Sequence, residues 1–254
     1  MRGLILFCLF CLTPLQLQAS ERDGQLLNEL CSRAQLLSAS ALLYFNPAAR
    51  TPDPRGLTAV YHHLNTLASH IQQLGRPPAL MRPLQAMQRS FAELDGLQPD
   101  QRQRYPALLS ALLQQQEQLQ QAASRAYSEA GVPAAPQVAL LHQQSRDLAS
   151  LLRDLQLRHY PWPNGAPVAL LGPQALQLDQ AVLQRFGQLQ QVLPAQQQAS
   201  LADVRRSYQF VRPMLVEAHT GAQGGAEFYL SRAVLDLDEL ALSAAAEEFQ
   251  HQSE

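Results

Sequence analysis

Lysine is missing altogether. The 19 basic side chains are all arginine, set against 21 acids for a formal net charge of −2. They are scattered and form no basic patch, which argues against a nucleic-acid partner. Cysteine is nearly as scarce. Two of the three, Cys8 and Cys11, fall in the first apolar run and leave Cys31 alone; a single thiol cannot form an intramolecular disulfide. Glycine occurs only 12 times, and no segment alternates apolar and polar residues in the manner of a strand. After the N-terminus no apolar run approaches the roughly 20 residues that cross a bilayer. There is also no Ser/His/Asp nucleophile elbow, no glycine-rich phosphate loop and no Cys/His cluster. These absences point away from an enzyme, a cofactor and a bound metal.

What is present begins with an export signal. "MRG" gives a short basic start, residues 4–12 are an apolar run, and "TPLQLQA" leads to a small residue at Ala19. That order is a secretory signal peptide over residues 1–19, cut after Ala19, and it places the mature protein in the periplasm or outside the cell. Losing Arg2 with the leader leaves 18 arginines against 21 acids, with no membrane span.

The rest of the chain is rich in Gln, about one residue in seven, together with Leu and Ala. That is a composition for long helices, with the Gln runs as solvated faces. Leu30, Ala34, Leu37, Ala41 and Tyr44 are spaced 4-3-4-3, a bundle seam. Prolines in "NPAARTPDPRG" stop that first helix. Second and third helices follow through Val60–Leu74 and Leu84–Leu94, and a fourth begins after "GLQPD" with Asp100 as its N-cap. "AGVPAAP" at 130–136 is the one clear internal boundary, after which four more helices are expected, at 138–160, 176–193, 200–219 and to about 249. The expectation is an all-α, up-and-down helical bundle of two tandem, diverged four-helix units over 22–129 and 136–250. "MQRSFAEL" and "VRRSYQFV", in the two third helices, are the best internal match.

Two segments carry a family resemblance. "CSRAQLLSASALLYF" (31–45) resembles the first-helix signature of the PilJ-type sensory domain, the periplasmic part of type IV pilus chemotaxis transducers. That domain is related to nitrate/nitrite sensor inputs and also occurs as standalone exported proteins. In the alignment Arg33 takes the first arginine of the signature, Gln35 falls on the second, Ser38 on its serine and Tyr44 on its aromatic. "YQFVRP" followed by "FYLSRAVLDLDELA", within 201–241, is similar to the C-terminal helices of standalone members. The resemblance implies an up-and-down bundle without a catalytic centre. In the sensor kinases it also implies a first-helix arginine from each of two subunits clamping a small anion, so a homodimer is an option here.

The sequence departs from that pattern where the ligand would sit. Gln35 stands at the anion-contacting arginine and Ser40 at the later one. Arg33 is no substitute, since two helical residues place it about 200° around the axis. The implied ligand residues are therefore Arg33, Gln35 and Ser38. The face carrying Gln35 and Ser38 either binds a polar neutral ligand or packs on a neighbouring helix, and packing is the simpler reading.

Other candidates have plainer explanations. His62, His63 and His70 share a helix, but without a carboxylate or Cys nearby they read as surface histidines rather than a metal site. Asp236, Asp238 and Glu239 read as a solvated acidic face. Trp162, in "YPWPNG", is a candidate partner contact, or else a plug for the end of a bundle. Two functions remain. One is a soluble, exported sensory or partner-binding module that acts through another envelope or membrane signalling protein. The other is an envelope adaptor that uses the bundle only as a surface.

Overall fold

The structure is a computed structural model and describes residues 3–49, 51–130, 135–165, 172–216 and 223–253. Within these the fold is all α, with no strand. The helices are α1 (Gly3–Tyr44), α2 (Pro54–Gln73), α3 (Pro78–Asp95), α4 (Tyr105–Glu129), α5 (Pro136–His159), α6 (Gly172–Val192), α7 (Ala195–Val216) and α8 (Gln223–Ser253). None of them is long and apolar enough to cross a membrane among the described residues. The break at 131–134, the 166–171 connection and the whole 217–222 connection, including the expected end of the helix to 219, lie outside the described residues.

Local chemistry explains the ends. Asp53 caps α2 by accepting from the Arg55 amide at 2.9 Å, with Pro54 in the first turn where its missing N–H costs nothing. Gly75 at φ +78° closes the same helix, and the Arg76 amide reaches back to the Ile71 carbonyl at 2.9 Å. The start of α4 differs from expectation. Asp100 does not cap it; residues Pro99–Arg104 form a 3-10 turn in which the Gln101 side chain accepts from the Gln98 amide at 3.2 Å. The α-helix begins only at Tyr105, because Pro106 is tolerated in a first turn and not in a helix interior.

Two cores form. The first takes Leu30, Ala34, Leu37 and Ala41 of α1, with α2, α3 and α4 contributing Ile71, Met87 and Leu112 among others. The second gathers Leu152 of α5, Phe186 of α6, Tyr208 of α7 and Val234 of α8. They interlock rather than merely touch. Leu36 and Ala39 of α1 belong to the second core, and Leu157 of α5 and Tyr160, which caps its end, belong to the first. Pairs at Gln25–His142 and Phe45–Tyr160 show that α1 and α5 run parallel. Gln25–Asp238 and Ser40–Glu227 show that α8 runs antiparallel to α1. From Gln25 to Leu42 every residue of α1 except Arg33 is buried. A helix buried all round is a central helix, and its polar residues must find partners inside the protein.

Candidate functional site

Those polar residues form the most distinctive feature of the molecule. Gln25, Asn28, Glu29 and Ser32 recur at helical spacing and so line one stripe of α1. His142, Ser145 and Arg146 make a matching stripe on α5. Asp238 of α8 closes the seam, and His70 of α2 approaches from the other side. Asn28 Nδ2 donates to Ser145 Oγ and to Asp238 Oδ1, both at 3.3 Å. Ser32 Oγ donates to Asp238 Oδ2 at 3.0 Å, and Gln25 Nε2 to the Asp238 carbonyl at 3.1 Å. Arg146 donates to Asn28 Oδ1 at 3.0 Å and to Gln143 at 2.7 Å, and lies over the Tyr127 ring at 5.3 Å. His142 bridges Gln25 (2.6 Å) and the Tyr127 hydroxyl (3.1 Å). His70 meets Glu29 at 2.8 Å, with Arg33 3.6 Å from the same carboxylate oxygen.

The electrostatics follow from burial. Asp238 is 2% exposed and, among the described residues, has hydroxyl and amide donors but no ion pair; desolvation, with the nearby Glu29 charge adding to it, pushes its carboxyl up to about 7. Glu29 goes the other way. Burial raises its carboxyl, but hydrogen bonds from His70 and Gln25 and the charges of His70 and Arg33 outweigh it and leave it below the usual value. Burial, helped by Arg146, holds His142 neutral with its pKa lowered to about 4. His63 is lowered to about 3 by burial and by Arg33.

Sequence expectations are corrected here, beginning with His70, which is not a surface histidine free of carboxylates but largely buried against Glu29. His63 is not a surface histidine: it is 3% exposed in the α1–α2 interface, with Nδ1 buried and unpartnered. Asp238 is not part of a solvated acidic face, although Glu239 is exposed. All three were hidden because the stripes they face, on α1 and α5, are themselves polar and so read as solvated. The signal available was the i, i+3, i+4, i+7 run of Gln25, Asn28, Glu29 and Ser32.

The three implied ligand residues are not brought together around a cavity. Ser38 is fully buried and its hydroxyl donates to the Ala34 carbonyl of its own helix at 3.1 Å. Gln35 is 2% exposed, its Oε1 buried without a hydrogen-bond partner. Arg33 lies against α2, paired with Glu29, its Nε also unpartnered. Trp162 is half-buried at the end of the first core, its ring 4.5 Å from Tyr160 and its Nε1 donating to the Leu157 carbonyl at 3.0 Å. Cys31 is buried, and burial pushes its thiol up, away from nucleophilic reactivity.

Among the described residues no three His, Cys, Asp or Glu side chains group as a metal site. The side chains of the seam are turned into the interior; what they can do is hold five helices, α1, α2, α4, α5 and α8, in one register and respond to protonation. Compared with known proteins, the chain matches no family model, no curated protein and no solved structure.

Proposed function

We propose that this chain is an exported, non-enzymatic helical-bundle module of PilJ-type character that acts by engaging another envelope or membrane signalling protein. The observation behind this reading is the meeting of the two segments that carry the resemblance. Residues 31–45 and the α8 segment are far apart in sequence, yet they lie antiparallel in the interior. Ser32 and Ser40 of the first donate to Asp238 and Glu227 of the second, at 3.0 and 2.9 Å. Likeness of two unlinked segments to one family gains weight when the fold sets them side by side. In this reading the leader directs export and output passes through a partner protein.

The alternative, an envelope adaptor without a small-molecule input, is favoured by the burial of Gln35 and Ser38 in packed helix faces. The two readings agree that the surface does the work. Export is tested by the mass of the protein purified from the cell envelope: a chain starting at Ser20 is expected, and one retaining residues 1–19 removes the proposal. The partner is tested by a photo-crosslinking side chain placed at Trp162 or at the exposed Tyr229. One discrete adduct with a membrane signalling protein is expected. An adduct with a purely structural envelope protein selects the adaptor, and none from either position overturns both.

A further inference from the structure

Where α1 ends and α8 begins, with the start of α2 on the third side, the surface opens into a cleft of about 280 Å³. Its walls are apolar and aromatic: Leu43 and Tyr44 from α1, Pro52 from the connection, and Phe228 from α8. Phe228 is 62% exposed and leans edge-on against Tyr229, which in turn meets Phe210; so large an exposed aromatic group usually marks a place of contact.

Glu227 lines the same cleft. It is sunk far enough that burial raises its carboxyl, against the hydrogen bond that Ser40 Oγ donates to Oε1 at 2.9 Å. Among the described residues no cation is in direct contact with it, although the Arg55 charge acts on it from a distance and lowers its carboxyl while the Asp53 charge raises it. Arg55, the basic residue of the described lining, is held by Asp53, with Nε at 3.2 and 3.0 Å from the two carboxylate oxygens and Nη2 at 2.7 Å. A carboxylate withdrawn from water without a cation in direct contact is costly, and a ligand cation seated against it offsets that cost. α1 ends at this cleft, and the last carbonyls of a helix carry partial negative charge. The Tyr44 and Phe228 rings offer π faces, which attract a cation and leave an anion unrewarded.

We infer that this cleft binds a small organic cation, an ammonium compound about the size of choline, with Glu227 as counter-ion and Tyr44 and Phe228 as its walls. Recognition needs no chemistry beyond charge and π contact, and no residue of the buried seam takes part. The inference is independent of the signalling reading: an adaptor can carry the same site, and failure of the site leaves the partner question where it was.

Calorimetric titration of the purified protein with choline chloride, against sodium chloride at matched ionic strength, tests it. Saturable binding is expected, weakened about tenfold or more in Glu227→Gln and several-fold in Phe228→Ala. Phe228 is exposed, so its variant reports on binding without a folding defect, and circular dichroism checks the fold of Glu227→Gln. No saturable binding at millimolar choline overturns the inference, as does binding that survives both substitutions. Binding of glycine in place of choline also overturns it, by showing that the site selects a zwitterion.

Discussion

Asp238 shows how one residue sets the pH response of this interior. It faces Glu29, Arg33 and Ser32 of α1 and Ser145 of α5, and takes hydrogen bonds from Ser32 and Asn28. Its folded-state pKa, about 7, lies above the value near 4 that an unfolded chain would have. The folded form therefore binds the proton more tightly. The stability this contributes is full below about pH 4 and is lost as pH rises from there through 7, on the order of 4 kcal/mol across the window. Asp238→Asn keeps an acceptor for Ser32 and removes the charge. The expected result is a melting temperature for the variant that no longer falls between pH 6 and 8, where the parent's does. Parallel curves for the two proteins would show that Asp238 is ionised without penalty. His142 and His63 act in the opposite sense. Their lowered pKa values mean that stability present above the usual imidazole value drains away as pH falls toward 4.

Gln35 gives a second test at the same scale. Its buried Oε1 has no partner, and an unsatisfied buried acceptor costs about 1–3 kcal/mol. Gln35→Leu, similar in volume, is expected to leave stability unchanged or raise it by about 1 kcal/mol in denaturant unfolding. Gln35→Arg, which puts an arginine where the PilJ-type signature has one, is expected to destabilise by several kcal/mol by burying an unpaired charge, and to create no nitrate site. Calorimetric nitrate binding by that variant would show that the face opens. The sequence could place Gln35 on a helix face, but not decide between ligand and packing. That depended on α1 being covered on all sides, a fact about its neighbours.

At the scale of elements, the helices themselves were legible. The seam through Leu30, Ala34, Leu37 and Ala41, the prolines after Phe45 and the Leu-Gly end of α2 carry local chemistry that writes helix boundaries directly into sequence. The start of α4 was missed because an Asp after a proline is also a good turn residue, and the Gln98–Gln101 contact that wins leaves no such signature. How helices are fastened was also invisible. Asp179 of α6, 1% exposed, accepts from Arg212 Nε at 2.7 Å and Nη2 at 2.8 Å, and from the Tyr208 hydroxyl, both on α7. Burial alone would raise the Asp179 carboxyl; hydrogen bonds from Arg212 and Tyr208 prevail and lower it. Its contribution is present above the usual carboxylate value and is lost as pH falls through the lowered one. Asp179→Asn gives up the charge-assisted pair and is expected to cost about 2 kcal/mol in urea unfolding, with the loss vanishing at low pH. An unchanged midpoint would mean that Arg212, partly exposed, is screened by water and contributes nothing.

For the whole molecule, the question is whether the two cores act as two domains. The sequence boundary at 130–136 suggested a hinge, and a proline- and glycine-bearing connection is where domains usually part. The interior argues for cooperation. α1 places Leu30 and Leu37 in one core and Leu36 and Ala39 in the other, so neither half can lose α1 without opening both. The polar seam adds a second lock, because separating α1 from α5 and α8 strips Asn28, Arg146 and Asp238 of their partners at once. Buried polar groups left unmatched cost about 1–3 kcal/mol each, more for the charged ones, which is a large share of the total stability of an ordinary protein. Unfolding is therefore expected as one transition, with helical circular dichroism and the fluorescence of Trp162, in the first core, moving together through urea. Protease cleavage in the 130–136 connection is expected to leave both fragments co-eluting in native size-exclusion chromatography. Separation of the fragments without denaturant, or a Trp162 transition distinct from the helical one, would mean that the shared helix holds the halves less firmly than its burial implies. Leu36→Ala then locates the coupling. It removes a side chain from the second core while sitting on the helix that founds the first. A loss of about 2–5 kcal/mol that shifts both probes equally is the signature of a single folding unit.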